Sequence, residues 1–100
     1  MIRHTIMWKF VDSFDGMNKE GIMNEVEKRL GALEGIIPEI KSMKFERDIL
    51  RSARSFDMIY LTQFESLEAL ERYRVHPEHV KVAQFIALVR EAQAVTDTEI

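Results

Sequence analysis

An α+β fold, a four-stranded antiparallel sheet with its helices on one face, follows from three features of the sequence. Residues 2–10 alternate apolar and polar with period two. From Met17 the apolar spacing changes to three and four. The later segments then complete the order strand, helix, strand, strand, helix, strand, which is the split βαβ arrangement.

The first strand places Ile2, His4, Ile6, Trp8 and Phe10 on one face, with Arg3, Thr5, Met7 and Lys9 on the other. Residues 11–16 read as a loop, with Asp15 or Asn18 as candidate helix cap. Over residues 17–33, Ile22, Val26, Leu30 and Leu33 form one face of an amphipathic helix. Gly35 stands where a left-handed terminating residue is expected, and Pro38 blocks continuation. A second strand is expected over 40–47, a charged loop over 48–55, and a third strand over 56–64 with apolar residues on both faces. Ser66 can cap a helix over 67–75 whose apolar side is Leu67, Leu70 and Tyr73. Pro77 interrupts it and suits the first position of a new helix, continued by Val80, Ala83, Gln84 and Ala87 or Leu88. The last strand falls within 91–99.

One hundred residues are enough for one domain, expected over 1–100. The 46% hydrophobic content supports a packed core rather than a disordered chain. The 14 Lys and Arg against 17 Asp and Glu supply no clustered positive charge, so neither a nucleic-acid nor an anionic-membrane partner is expected. The absence of cysteine excludes disulfides, a thiolate nucleophile and sulfur-ligated zinc. The opening residues lack the apolar core and cleavage site of a signal peptide, so a cytoplasmic location is the expectation.

Two helices cover only one side of such a sheet. Four strands ~4.8 Å apart and ~20 Å long leave roughly 400 Å² on the other side. Large apolar residues on both faces of the first and third strands make that surface poorly compatible with water. A homodimer joined through the open sheet face is therefore expected.

The residues able to carry chemistry concentrate in Tyr73-Arg74-Val75-His76-Pro77-Glu78-His79, which holds two of the three histidines. His4 can reach the same rim of the sheet. Imidazoles, a phenol and apolar walls suit proton transfer near neutral pH, with the phenol donating to a developing oxyanion. Each residue also has a purely structural reading. His76 can cap a helix, His79 can lie half-exposed on a first turn, Tyr73 can be a core aromatic, and His4 a hydrogen-bonded core histidine. His76 and His79 also have a metal-ligand spacing, but a catalytic metal needs about three protein ligands and a third is not forced, so no metal is expected. No glycine-rich phosphate loop is present.

Several segments together resemble the stress-responsive A/B barrel (Dabb) domain family of the dimeric α+β barrel proteins. They are the opening Ile2-Arg3-His4-Thr5-Ile6-Met7-Trp8-Lys9-Phe10, the Gly35-Ile36-Ile37-Pro38-Glu39-Ile40 junction, Phe56-Asp57-Met58, Phe64 to Leu70, Tyr73 with His76-Pro77-Glu78-His79, and Asp97. The resemblance implies a homodimer of ferredoxin-like protomers, each with a small-molecule cavity between sheet and helices. A plant polyketide cyclase of that family closes a linear polyketide by an aldol reaction without a cofactor. By that resemblance His79 is the general base, Tyr73 holds or protonates the carbonyl oxygen, and His4 and His76 orient the pair. No cofactor is implied. A further pocket histidine of that enzyme falls at Met58, so the pocket wall differs here. Three functions follow as expectations: a cofactor-free enzyme of cyclase or lyase type acting on a carbonyl compound, a non-catalytic binding or stress-associated dimer, and an oxygenase-like relative for which Trp8 is the suggestive residue. The expected substrate contacts are His4, His76, Trp8 and Met58.

Overall fold

Strand β1 (Ile2–Phe10) is central, and its alternation is realised in space: Ile2, Trp8 and Phe10 are buried towards the helices, with His4 and Ile6 half-buried beside them. The computed structural model describes residues 1–100. After β1 comes a two-residue hairpin, β2 (Ser13–Phe14) and β3 (Met17–Asn18), where a loop was expected. Its turn is Asp15-Gly16, both with positive φ (48° and 81°), the backbone that Asp-Gly favours in two-residue hairpins. Met17 therefore belongs to the hairpin rather than to the helix.

Helix α1 (Lys19–Gly31) follows, capped by Asn18, whose Oδ1 accepts from the Gly21 N–H at 2.8 Å. Ile22, Met23, Val26 and Leu30 form its buried face. The chain leaves α1 through a 3₁₀ turn (Ala32–Gly35), and Gly35 has no left-handed backbone; Gly16 is the glycine that does. Strand β4 (Ser42–Arg47) and strand β5 (Met58–Phe64) are each two residues shorter at the start than expected. Met58, Tyr60, Thr62 and Phe64 of β5 are fully buried against the helices, whereas Ile59, Leu61 and Gln63 on the other face are only half-buried. The expectation of burial on both sides is thus corrected for an isolated protomer.

Helix α2 (Leu67–Val75) buries Ala69 and Tyr73, and leaves Leu67 largely exposed. Helix α3 (Pro77–Val89) begins at the proline as expected. Its buried face is Val82, Phe85, Ile86 and Val89, not the row begun at Val80. Both rows fit helical spacing, but only one includes the aromatic and three branched aliphatics, and its larger apolar area wins the core. Strand β6 (Arg90–Glu99) leaves α3 without a loop.

The four-stranded sheet has the order β4-β5-β1-β6, antiparallel throughout, with all helices on one face. This is the ferredoxin-like arrangement. The core is a slab of aromatic and aliphatic side chains in which Tyr60 stacks between Trp8 and Phe45, with centroids 5.6 and 5.1 Å away. No helix is long and apolar enough to cross a membrane.

The two faces of the helices predict unequal costs. Ile22→Ala, at a position with no exposure, should lower stability by about 2–5 kcal/mol, whereas Leu88→Ala on α3 should stay within about 0.5 kcal/mol, both read from urea unfolding midpoints.

Candidate functional site

The register of β1 on β6 builds the floor of the site. His4 lies opposite Asp97, Ile6 opposite Val95 and Trp8 opposite Gln93. All six point to the helix side by the period-two rule. The helices roof β1 and β5, but Gln93, Val95 and Asp97 of the edge strand remain exposed. A cavity of about 540 Å³ opens there, walled by α2 and α3 and lined mainly by apolar groups including Ile6, Trp8, Leu70 and Ile86.

Tyr73 projects from α2 into the cavity wall, where its hydroxyl meets that of Tyr60 at 2.9 Å. Burial pushes the Tyr73 phenol up to about 12, against the opposing effect of the Tyr60 hydrogen bond. Burial raises Tyr60 as well, so both are neutral phenols near pH 7. Either hydroxyl can donate to the other. With Tyr60 as donor, the Tyr73 proton is free for an oxygen in the cavity.

His79, on the first turn of α3, packs its ring against Tyr73 with centroids 4.3 Å apart. Its Nδ1 lies 2.9 Å from the Arg74 carbonyl oxygen. A carbonyl only accepts, so Nδ1 carries the proton and Nε2 of the neutral ring is left as a lone-pair base. Burial lowers the His79 pKa below its ordinary value, and neighbouring His4, Arg74 and His76 act in the same direction, while the bond to the Arg74 carbonyl opposes them.

His4 is a second oriented imidazole. Its Nδ1 is 2.5 Å from Asp97 Oδ1, and its ring meets those of Phe64 and Tyr73 edge-on at 6.4 Å. Trp8 closes the floor, with Nε1–H donating to Gln93 Oε1 at 2.8 Å. The site therefore gathers His4, Trp8, Tyr73 and His79 at one cavity.

Two expected contacts lie elsewhere. His76 sits at the α2–α3 junction, where its Nδ1 accepts from the Glu78 N–H at 3.1 Å and caps α3; it is not among the cavity walls. Its extended backbone before Pro77 sets that direction. Met58 is buried in the core opposite the far end of β1, paired with Trp8, and also lies outside the cavity. No three His, Asp or Glu side chains converge in a metal-ligating group. The sequence pattern points to no part in the site for Tyr60 or Gln93, and to Asp97 only through the family resemblance. Period two along β6 groups Gln93, Val95 and Asp97, but their partners on β1 depend on a register that one strand's pattern does not contain.

Residues 2–100 match the family model described as the Stress responsive A/B Barrel Domain. The chain is 30% identical over 81 residues to the olivetolic acid cyclase of Cannabis sativa, an alignment covering 79% of this chain and 76% of the cyclase. A dimeric ferredoxin-like protein of unknown function from Bacteroides fragilis superposes with a TM-score of 0.85 at 23% identity, covering 99% of this chain and 95% of that one. The hydroxynitrile lyase of Passiflora edulis superposes with a TM-score of 0.83 at 19% identity, covering 99% and 92%.

Because folding lowers the His79 pKa, the unfolded chain binds more protons as pH falls below 6.5, so stability is full above 6.5 and declines below it towards the lowered folded value. An NMR titration should give a His79 midpoint below 6.5, and His79→Gln should flatten the stability profile in that window. His76→Ala should cost about 1 kcal/mol through the lost cap, with cavity-ligand affinity unchanged by calorimetry.

Proposed function

The chain belongs to the stress responsive A/B barrel domain family, and on that premise we propose that it is a homodimeric, cofactor-free enzyme that moves a proton on a carbonyl compound held in the cavity. The observation that carries this reading is the pairing of a neutral, oriented imidazole with a neutral phenol at one apolar cavity. His79 Nε2 takes a proton from the carbon next to the carbonyl. The C–H electron pair forms a carbon–carbon double bond, the carbonyl π pair moves to the oxygen, and the Tyr73 hydroxyl donates a hydrogen bond to that oxygen as it gains charge. The carbon then attacks a second carbonyl of the same molecule, a C–C bond forms, and the imidazolium returns its proton to the new alkoxide. His4, held by Asp97, fixes the wall beside Tyr73. The name of the related cyclase is in keeping with such chemistry.

A non-catalytic binding protein is the second reading. The Tyr60–Tyr73 bond and the packing of His79 on Tyr73 favour it, because both serve the fold as well as a ligand.

Dimerisation through the open sheet face is part of the proposal. Met7, Ile59 and Leu61 form its apolar centre, with Ala92 and Ala94 on the adjoining strand and Lys44 and Glu46 towards the other edge. Several solved structures of this fold are described as dimeric.

In D₂O, a methyl ketone such as decan-2-one should exchange its protons next to the carbonyl faster with the protein than in buffer. His79→Ala should reduce that rate by about 10²–10⁴-fold and Tyr73→Phe by about 10²–10³-fold, followed by NMR. Exchange at the buffer rate, with decan-2-one bound, leaves the binding reading in its place. Sedimentation at micromolar concentration should show a species of twice 11.7 kDa, reduced to 11.7 kDa by Leu61→Glu.

A further inference from the structure

Four charged side chains other than the histidines line the cavity, and three have partners. Arg74 and Glu71 hold each other through two 2.8 Å hydrogen bonds. Asp97 is held by His4. The fourth, Arg90, takes part in no ion pair and no side-chain hydrogen bond. Its neighbour Glu91 turns the other way, into a polar depression beside Lys9 and Asp57. Of the charged groups at this mainly apolar cavity, the Arg90 guanidinium alone is free of a side-chain partner.

The register gives the span. Arg90 stands opposite Phe10, while Asp97 stands opposite His4. Six strand steps at ~3.3 Å place these two ends about 20 Å apart. Tyr73 is adjacent to His4, so the phenol and imidazole lie at the end away from Arg90. Trp8, Ile6 and Val95 bridge the interval. We propose that Arg90 anchors the carboxylate of an elongated aliphatic acid, whose chain lies along Trp8 and Ile6 and whose distal carbonyl reaches Tyr73 and His79. The guanidinium fork matches a carboxylate in two parallel hydrogen bonds. A carboxylate monoanion suits the position better than a phosphate dianion, because Arg90 caps the C-terminus of α3, whose last carbonyls oppose negative charge in proportion to its amount. The proposal names the substrate class of the site described under Proposed function and rests on that reading of the cavity.

Decanoate and decan-1-ol share one chain and differ in the anionic group. Calorimetry, with the fluorescence of Trp8 (the chain's single tryptophan) as a local reporter, measures both. Decanoate should bind the unaltered protein about ten times more tightly than decan-1-ol. Arg90→Gln should remove that advantage and leave decan-1-ol unchanged, and Arg90→Lys should keep part of it. Binding of decan-1-ol without a preference for decanoate overturns the anchor and leaves the cavity reading standing; this comparison needs no variant. Equal weakening of both ligands by Arg90→Gln also overturns it. If neither ligand binds, the anchor and the cavity reading fall together.

Discussion

The antiparallel register of β1 on β6 is the constraint from which the site follows. Shifting that pairing by one residue would turn Asp97, Val95 and Gln93 to the open face, since side chains alternate with period two. The His4–Asp97 and Trp8–Gln93 bonds would both be lost. The register is held from both directions. Buried Ile2, Trp8 and Phe10 fix β1 against the helices, and the absence of a loop between α3 and β6 leaves the last strand little freedom to slide. The irregularity between Lys9 and Phe10 sits at that junction, where the chain turns from helix into strand.

Desolvation then tunes the groups the register has gathered. The same burial acts in opposite directions on the pKa values of a phenol and an imidazole, yet towards the same end, because it opposes charge on each. Tyr73 is kept protonated and His79 unprotonated. A donor and a base therefore coexist at neutral pH without a charge in the apolar part of the cavity. The hydrogen bonds complete this arrangement. Tyr60 gives the Tyr73 oxygen a partner within the core, and the Arg74 carbonyl selects the His79 tautomer. No buried side-chain nitrogen or oxygen is left without a partner, so the pair is accommodated without the cost of an orphaned polar group.

The sheet and the order of its elements were legible because they depend on local signals: alternation in β1, the 3–4 spacing of Ile22, Val26 and Leu30, the Ser66 cap and the Pro77 start. The hairpin at Asp15-Gly16 was also written locally, but its arms are two residues each, too short for alternation to register. The buried face of α3 is not written in its spacing, because two rows of that helix satisfy it, and only packing against Phe14 and Arg29 shows which row holds Phe85. At the site, Tyr73, His79, His4 and Trp8 could be singled out by residue type. Their hydrogen-bond partners could not, since His4 and Asp97 are 93 residues apart and Trp8 and Gln93 are 85 apart. His76 shows the converse: its neighbours in sequence looked chemical, and the local backbone turned it into a cap.

A single shortage links the cavity to the open sheet face. Helices α1, α2 and α3 are too few to cover four strands on both sides, so one face stays open. On the covered side they lie over β1 and β5 and stop short of β6. Had β6 been roofed, Val95 would join Ile86 and Leu70 in a closed core and no cavity would remain. Composition along β6 fits this uncovered position. Its helix side carries Gln93, Val95 and Asp97, one apolar residue between two polar ones. Its open side carries Ala92, Ala94, Thr96 and Thr98, small residues that leave room for close approach. Polar groups at the cavity mouth tolerate water, and under the proposed function they would meet a ligand's polar ends. The strand is thus poorly suited to being buried within its own protomer and well suited to bordering a site.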